Sequence, residues 1–88
     1  MIIRLTSQFK RDLKRFKNNS RVIDKLDHVI KLLASEQKIP SKYKPHKLRG
    51  DYRNHMECHI ESDVLLIWLD ELNGTIYLVR LGTHFEVF

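Results

Sequence analysis

Apolar side chains recur along the chain with two different periods. After a short apolar run at residues 1–5, they return every three or four positions at residues 9–16 and again at residues 22–33, which is the spacing of amphipathic helices. We therefore expect a first strand, a helix from about Gln8 to Lys17, and a second helix that has Ser20 as its N-cap and ends near Ala34. Asn18 and Asn19 interrupt the pattern, so the two helices should form a hairpin.

An irregular stretch follows the second helix, from Ser35 to Arg49. It contains Pro40 and Pro45 and is rich in lysine. Proline removes a backbone donor and disfavours helix in the residue before it. The stretch is therefore predicted to be a long loop, which ends at Gly50.

The last third of the chain alternates between apolar and polar positions, the period of a strand. Strands are expected at Asn54–Ile60, Val64–Leu69 and Thr75–Leu81, with turns at Ser62-Asp63 and Asp70–Gly74. In the first of them, one face should enter the core with Met56, Cys58 and Ile60, and the other should carry His55, Glu57, His59 and Glu61. Trp68, in the wholly apolar second strand, is expected in the core.

These elements predict an α+β domain over residues 1–88 with the order β-α-α-β-β-β. A helical hairpin should pack on one face of a small antiparallel sheet. The other face would remain open and concave, which makes it a candidate binding surface.

Composition excludes several classes of protein. The hydrophobic share of 42% and the charged share of 31% are typical of a soluble globular protein rather than a disordered one. No apolar run approaches the roughly 18 residues that a membrane span requires, and the first residues do not resemble a secretory signal. The single cysteine, Cys58, cannot form an internal disulfide. We expect a cytoplasmic protein that does not enter a membrane.

The net charge of +5 suggests an anionic partner, such as nucleic acid or an acidic protein. The cations are clustered in the first helix and in the proline-containing loop. For contact with RNA phosphates we select Lys10, Arg11, Lys14, Arg15, Lys42, Lys44, Lys47 and Arg49. The alternative for the first helix is that its cations form only the solvated side of an amphipathic helix.

Five histidines in 88 residues raise the question of a metal site. His55 and His59 share a face, but four residues along a strand separate them by roughly 13 Å, too far to bind one ion. No other ligand pair has a usable spacing, so neither a metal nor another cofactor is expected.

RNA cleavage needs no cofactor, because a base, an acid and a cation suffice. Histidine can serve as base or acid near neutral pH, and arginine binds phosphate through two N–H groups. Elements that can converge on one sheet face carry His46, His59, Asp63, Arg80 and His84. Arg80 opens a terminal stretch in which Gly82 allows a bend and Phe85 and Phe88 flank His84. The alternative is that these histidines have no catalytic role.

Three ordered segments resemble the YafQ branch of the RelE/ParE toxin superfamily. They are His46-Lys-Leu-Arg-Gly50, Glu57-Cys-His-Ile-Glu-Ser-Asp63, and Arg80-Leu-Gly-Thr-His84 through Phe88. The resemblance implies a RelE/ParE-like fold and the toxin half of a type II toxin–antitoxin pair. It further implies a ribosome-dependent endoribonuclease that cuts mRNA in the ribosomal A site without a metal, leaving 2′,3′-cyclic phosphate and 5′-hydroxyl ends.

Carried over by position, the resemblance implies a catalytic set of His46, His59, Asp63, Arg80, His84 and Phe88. His84 would be the general acid, and His59 with Asp63 would be the base or orient it. His46 would bind substrate or help to deprotonate it, Arg80 would hold the scissile phosphate, and Phe88 would stack on a base or position it. Glu57 is expected to support a neighbouring histidine or arginine. Val64 departs from the pattern, because this branch often has tryptophan there.

The partners implied are an acidic DinJ/RelB-like antitoxin, the ribosome and mRNA, with operator DNA bound mainly through the antitoxin. Two alternatives remain. A ParE-like toxin of the same fold would bind DNA gyrase without RNA chemistry, although the histidines argue against it. An inactive protein would only bind its antitoxin.

Overall fold

Two helices packed on one face of a sheet, with a short third helix on the other face, form the part of the chain that the computed structural model describes, residues 1–71 and 73–88. The elements are β1 (Ile2–Leu5), α1 (Ser7–Lys14), α2 (Ser20–Ala34), β2 (His46–Lys47), β3 (His55–Glu61), β4 (Val64–Asp70), β5 (Thr75–Gly82) and α3 (His84–Val87). The predicted turn at Asp70–Gly74 includes Leu72, which lies outside the described residues.

The strands form one sheet in the order β1-β5-β4-β3-β2. The strands from β2 to β5 pair antiparallel, as expected, whereas β1 runs parallel to β5. The α+β class, with two helices on a small sheet, is thus confirmed, and the sheet is mixed. The alternation of side chains does not show which edge of the sheet a short strand joins. The parallel pairing of β1 with β5 could therefore not be predicted from the sequence.

Side-chain caps fix where the two long helices begin. The Thr6 hydroxyl accepts a hydrogen bond from the Phe9 N–H at 3.1 Å, and the Asn19 side chain accepts one from Val22 N–H at 3.2 Å. Such caps satisfy amides that have no partner inside the helix. Asn19, rather than Ser20, is therefore the cap of α2, and α1 ends at Lys14, three residues before the expected end.

The core lies between the helices and one face of the sheet. Cys58 and Trp68 are buried there, which confirms both predictions, together with Phe9, Val22, Leu26, Val29, Ile60, Leu66, Leu78 and Leu81. Burial, and secondarily the neighbouring Glu57 charge, raises the pKa of the Cys58 thiol to about 12. In the described part of the chain, no helix combines the length and apolar character needed to cross a membrane.

The second face of the sheet is only partly open, contrary to the expectation. The C-terminal residues form α3, and Val87 packs there against Leu65 and Ile67. A capping box starts this helix, because the Thr83 hydroxyl accepts from Glu86 N–H and the Glu86 carboxylate accepts from Thr83 N–H. The tail is therefore a short helix that covers part of the sheet.

Two expectations for single residues were wrong. The β3–β4 register shifts between His59 and Glu61, and Glu61 lies opposite the core residue Val64. Glu61 therefore faces α2, where it pairs with Lys25 at 2.9 Å. Gly82 does not need a left-handed backbone; it needs space, because a Cβ there would lie 2.9 Å from Glu86 Oε1.

Candidate active site

Glu57 and two histidines form a cluster on the sheet face opposite the long helices. The short strand β2, which was expected to be loop, places His46 directly opposite Glu57. His46 Nε2 lies 3.1 Å from Glu57 Oε1, and His59 Nε2 lies 4.0 Å from the same oxygen. One carboxylate therefore contacts the first histidine and approaches the second.

A backbone carbonyl fixes one nitrogen of the His46 ring. Its Nδ1 lies 2.8 Å from the Lys44 carbonyl oxygen. A carbonyl oxygen only accepts, so Nδ1 carries a proton and donates it. The other ring nitrogen, Nε2, lies 3.1 Å from Glu57 Oε1, so the ring is placed between a backbone carbonyl and the Glu57 carboxylate.

Glu57 is only 5% exposed. Within the described residues, its second oxygen, Oε2, has no hydrogen-bond partner. Burying a carboxylate oxygen without a partner is costly. The open oxygen can accept a hydrogen bond from a group that a substrate brings.

Arg80 lies on β5 and is held from two sides. Its Nε donates to Asp12 Oδ2 at 2.8 Å, and its Nη2 donates to the Glu86 carbonyl oxygen at 3.0 Å. The hydrogen bond with Asp12 raises the pKa of Arg80, so the guanidinium remains charged although burial opposes the charge. The hydrogen bonds of the described residues use Nε and Nη2 but not Nη1. The Tyr52 side chain also interacts with the guanidinium and raises its pKa further.

The short helix α3 presents two candidate residues side by side. The rings of His84 and Phe88 have centroids 4.9 Å apart. Phe88 also meets Tyr52 edge to face at 5.5 Å, and the Tyr52 hydroxyl donates to the Val87 carbonyl oxygen at 3.1 Å. Tyr52 therefore supports α3 from the turn that precedes β3.

Strand register relates the two groups of residues. His46, Glu57, Ile67 and Arg80 are successive partners across four strands, and residues directly opposite one another share a face. Strands β3 and β5 flank β4, so the histidine–glutamate cluster and Arg80 are separated by two interstrand spacings, roughly 10 Å. A ribose with its phosphate can fit between groups at that separation.

Asp63 lies apart from the cluster. It is exposed in the turn before β4 and lines a cavity of about 420 Å³ with His84, Leu65 and Phe85. The described contacts include none between Asp63 and His59; the carboxylate next to His59 is that of Glu57. The structure thus brings Asp63 near His84 and Glu57 near the other two histidines.

Two residues of this region were missed by sequence reasoning. Asp12 had a readable signal, because it lies on the apolar side of an otherwise basic helix, three residues from Phe9 and four from Phe16. Tyr52 had none, since it lies in an irregular segment where no period applies.

The eight cations selected for RNA contact are all exposed, namely Lys10, Arg11, Lys14, Arg15, Lys42, Lys44, Lys47 and Arg49. Lys42 and Lys44 line one cavity with His59. Arg15 differs from the others, because it pairs with Asp12 at 3.3 Å and with Glu86 at 3.4 Å. Among residues 1–71 and 73–88, no three His, Cys, Asp or Glu side chains are placed to share a metal ion.

Solved structures with this architecture are bacterial toxins. A metal-bound toxin from Helicobacter pylori is 37% identical, with a TM-score of 0.90 and coverage of 100% of this chain and 99% of that chain. A chain of the Escherichia coli DinJ–YafQ complex is 28% identical, with a TM-score of 0.86 and coverage of 98% and 96%. The fold thus places the chain in the structural class of these bacterial toxins.

Sequence comparison gives the family. The mRNA interferase toxin YafQ of Escherichia coli K12 is 29% identical over 89 residues, which cover 98% of this chain and 94% of the relative. The profile of the family described as "Bacterial toxin of type II toxin-antitoxin system, YafQ" matches residues 1–88. The chain belongs to the YafQ toxin family, which confirms the resemblance seen in the sequence.

Proposed function

We propose that this protein is an mRNA interferase, an endoribonuclease that acts in the cytoplasm as the toxin of a type II toxin–antitoxin system and cuts mRNA on the ribosome. The observation that carries the proposal is the Glu57 carboxylate, buried at 5% exposure and placed 3.1 Å from His46 Nε2 on the face that also carries Arg80. A buried base beside a second proton carrier, with a cation about two strands away, meets the needs of phosphodiester cleavage.

The proposed reaction is a transfer within the substrate. The Glu57 group, with His46 and His59, removes the proton from the ribose 2′-hydroxyl, and the 2′-oxygen attacks phosphorus. Arg80 stabilises the charge that develops on the phosphoryl oxygens. His84 protonates the leaving 5′-oxygen, which gives a 2′,3′-cyclic phosphate and a 5′-hydroxyl. Phe88 stacks on a base, and Asp63 orients His84 from the cavity that both residues line.

Dependence on the ribosome follows from the openness of the site. His84 is exposed and Phe88 is 52% exposed, so little of the protein surface encloses a nucleotide. Another surface must then hold the mRNA in the reactive geometry. The exposed cations, with Lys42 and Lys44 next to His59, supply affinity for ribosomal RNA phosphates without reading sequence.

When the protein is not cleaving mRNA, its proposed partner is an acidic antitoxin. The net charge of +5 favours an acidic segment that folds on contact. The solved complex of the E. coli relative with DinJ supports this assignment. Operator DNA would be bound mainly through the antitoxin.

The reaction proposed above uses no metal. Cleavage should therefore persist when EDTA lowers free Mg²⁺ to the smallest concentration that keeps ribosomes intact.

Induced expression in a bacterium tests the function. Wild-type protein should arrest growth and generate new 5′ ends within coding sequences, whereas His84→Ala should restore growth and remove those ends. His28→Ala is the matched control, because His28 is exposed on α2, away from the site. Arrest with intact transcripts and broken DNA would instead identify a gyrase-binding toxin, and unaffected growth would indicate an inactive antitoxin-binding protein.

A further inference from the structure

Asp12 is a fully buried carboxylate on the otherwise basic helix α1. Its side chain is 0% exposed. Oδ2 accepts from Arg80 Nε at 2.8 Å and from the Leu81 backbone N–H at 3.0 Å, while Oδ1 accepts from Gln8 Nε2 at 3.0 Å. Burial alone would raise the pKa of Asp12, but these hydrogen bonds, led by that from Arg80, lower it overall.

The contact with Leu81 explains why the carboxylate lies there. Strand β1 pairs with β5 only as far as Leu78. The Leu81 N–H, beyond the last residue of that pairing, therefore lacks a strand partner on this side, and Asp12 accepts its hydrogen bond. A neutral amide could satisfy Leu81 equally well. Two neighbouring guanidinium groups, those of Arg80 and Arg15, instead favour a negative charge.

The same carboxylate connects to α3. Arg15 contacts Asp12 at 3.3 Å and, on its other side, Glu86 at 3.4 Å. Glu86 is the residue whose side chain completes the cap at the start of α3. The helix that carries His84 and Phe88 is thus tied to α1 through Arg15.

We propose that Asp12 is a positioning residue for RNA cleavage, which holds the Nε side of Arg80 so that Nη1 points toward the scissile phosphate. The proposal rests on the proposed function, because it assigns the orientation of a group used in that reaction. Asp12 does not touch the substrate; it acts through Arg80 and, by way of Arg15, through α3. Without the carboxylate, the guanidinium keeps its charge but loses the restraint on Nε, and only the Glu86 carbonyl oxygen still holds Nη2.

A double-mutant cycle separates positioning from stability. We expect Asp12→Asn to lower the rate of cleavage of ribosome-bound mRNA by on the order of 10²-fold, similar to the loss of one transition-state donor, with KM nearly unchanged. Arg80→Ala should lose at least as much, and Asp12→Asn combined with Arg80→Ala should be no slower than Arg80→Ala alone. Asp27→Asn, which removes an exposed carboxylate paired with Lys31 on α2, is the control and should cleave normally.

Additive losses in the cycle, or full activity of a folded Asp12→Asn, would overturn the proposal. A second measurement needs no activity: the ¹⁵N-detected Arg80 Nε–H signal should exchange slowly in the wild type and rapidly in Asp12→Asn. If Asp12→Asn does not fold, the wild-type protein alone tests the proposal. Rapid exchange of its Arg80 Nε–H would show that Asp12 does not hold Arg80. Failure of the wild-type protein to cleave ribosome-bound mRNA would refute the proposed function. The contact between Asp12 and Arg80 would then be tested by the exchange of Arg80 Nε–H alone.

Discussion

Glu57 is the residue whose environment is hardest to explain by stability. A carboxylate 5% exposed, with one oxygen 3.1 Å from His46 and the other without a partner among the described residues, destabilises the fold compared with an apolar residue. Structural ion pairs usually satisfy both oxygens. The role proposed above for Glu57, that of proton acceptor, accounts for the oxygen that the protein leaves open.

Replacement of this carboxylate therefore separates chemistry from folding. Glu57→Gln keeps the volume and removes the proton acceptor, so we expect a 10²- to 10⁴-fold loss of cleavage rate with an unfolding midpoint in urea equal to or above that of the wild type. Single-turnover cleavage and urea unfolding measure the two effects. Glu71→Gln, in the exposed turn after β4, should change neither. If Glu57→Gln cleaves at the wild-type rate, Glu57 is not the general base, and His59 or Asp63 takes that role.

At the level of elements, the contact between α1 and β5 makes the free energy of unfolding depend on pH. The pKa of Asp12 is lowered in the folded protein from its usual 3.8, so the folded state releases this proton more readily than the unfolded chain. Its contribution to the free energy of unfolding is complete above the unfolded pKa and disappears as pH falls through the folded pKa.

Urea unfolding at pH 6, 4 and 3 tests this dependence. The wild type should lose stability over that range, and Asp12→Asn should be less stable at pH 6 but lose less on acidification. Asp27→Asn serves as the reference, because its exposed carboxylate should leave the wild-type slope intact. Equal slopes for Asp12→Asn and the wild type would show that the carboxylate is not preferentially ionised in the fold.

The elements also show where sequence reasoning succeeds. Helical and alternating periods predicted both long helices, the central meander and the burial of Cys58 and Trp68, because each pattern spans several residues. The two-residue strand β2 and the four-residue helix α3 are too short to show a period, although Thr83 and Glu86 have the spacing of a capping box.

For the candidate site, the sequence showed which residue types are present but not which of them come together across strands. The sequence indicates histidines, an arginine and carboxylates suited to RNA cleavage. Alternation along β3 places Glu57 and His59 on the same face, as expected. The position of His46 opposite Glu57 depends on the pairing of β2 with β3, which required the structure. The absence of a contact between Asp63 and His59 among the described residues depends on the bulge and turn at the end of β3.

On the scale of the whole molecule, the surface proposed to bind RNA phosphates adjoins the candidate active site. The exposed cations of the loop lie next to an open site, with Lys42 and Lys44 in the same cavity as His59. Charges of this kind provide salt-dependent attraction to phosphate, and they do not select a sequence.

A charge-matched comparison tests the loop. Lys42→Ala with Lys44→Ala should weaken ribosome binding and lower the slope of log affinity against log salt by about 1 to 2, since two phosphate contacts are lost. Arg4→Ala with Lys31→Ala removes the same charge from exposed positions on β1 and α2 and should alter the slope little. Equal effects of the two pairs would mean that net charge alone, and not the loop, attracts the ribosome.

The chemistry of the products tests the central claim most directly. Purified protein is incubated with ribosomes stalled on a defined mRNA, and the ends of each fragment are determined by their reactivity toward polynucleotide kinase and by mass. Acid–base cleavage with Glu57, Arg80 and His84 predicts 2′,3′-cyclic phosphate and 5′-hydroxyl ends in the A-site codon, only with ribosomes present and absent with His84→Ala. Intact mRNA, or fragments with 5′-phosphate ends, would contradict it.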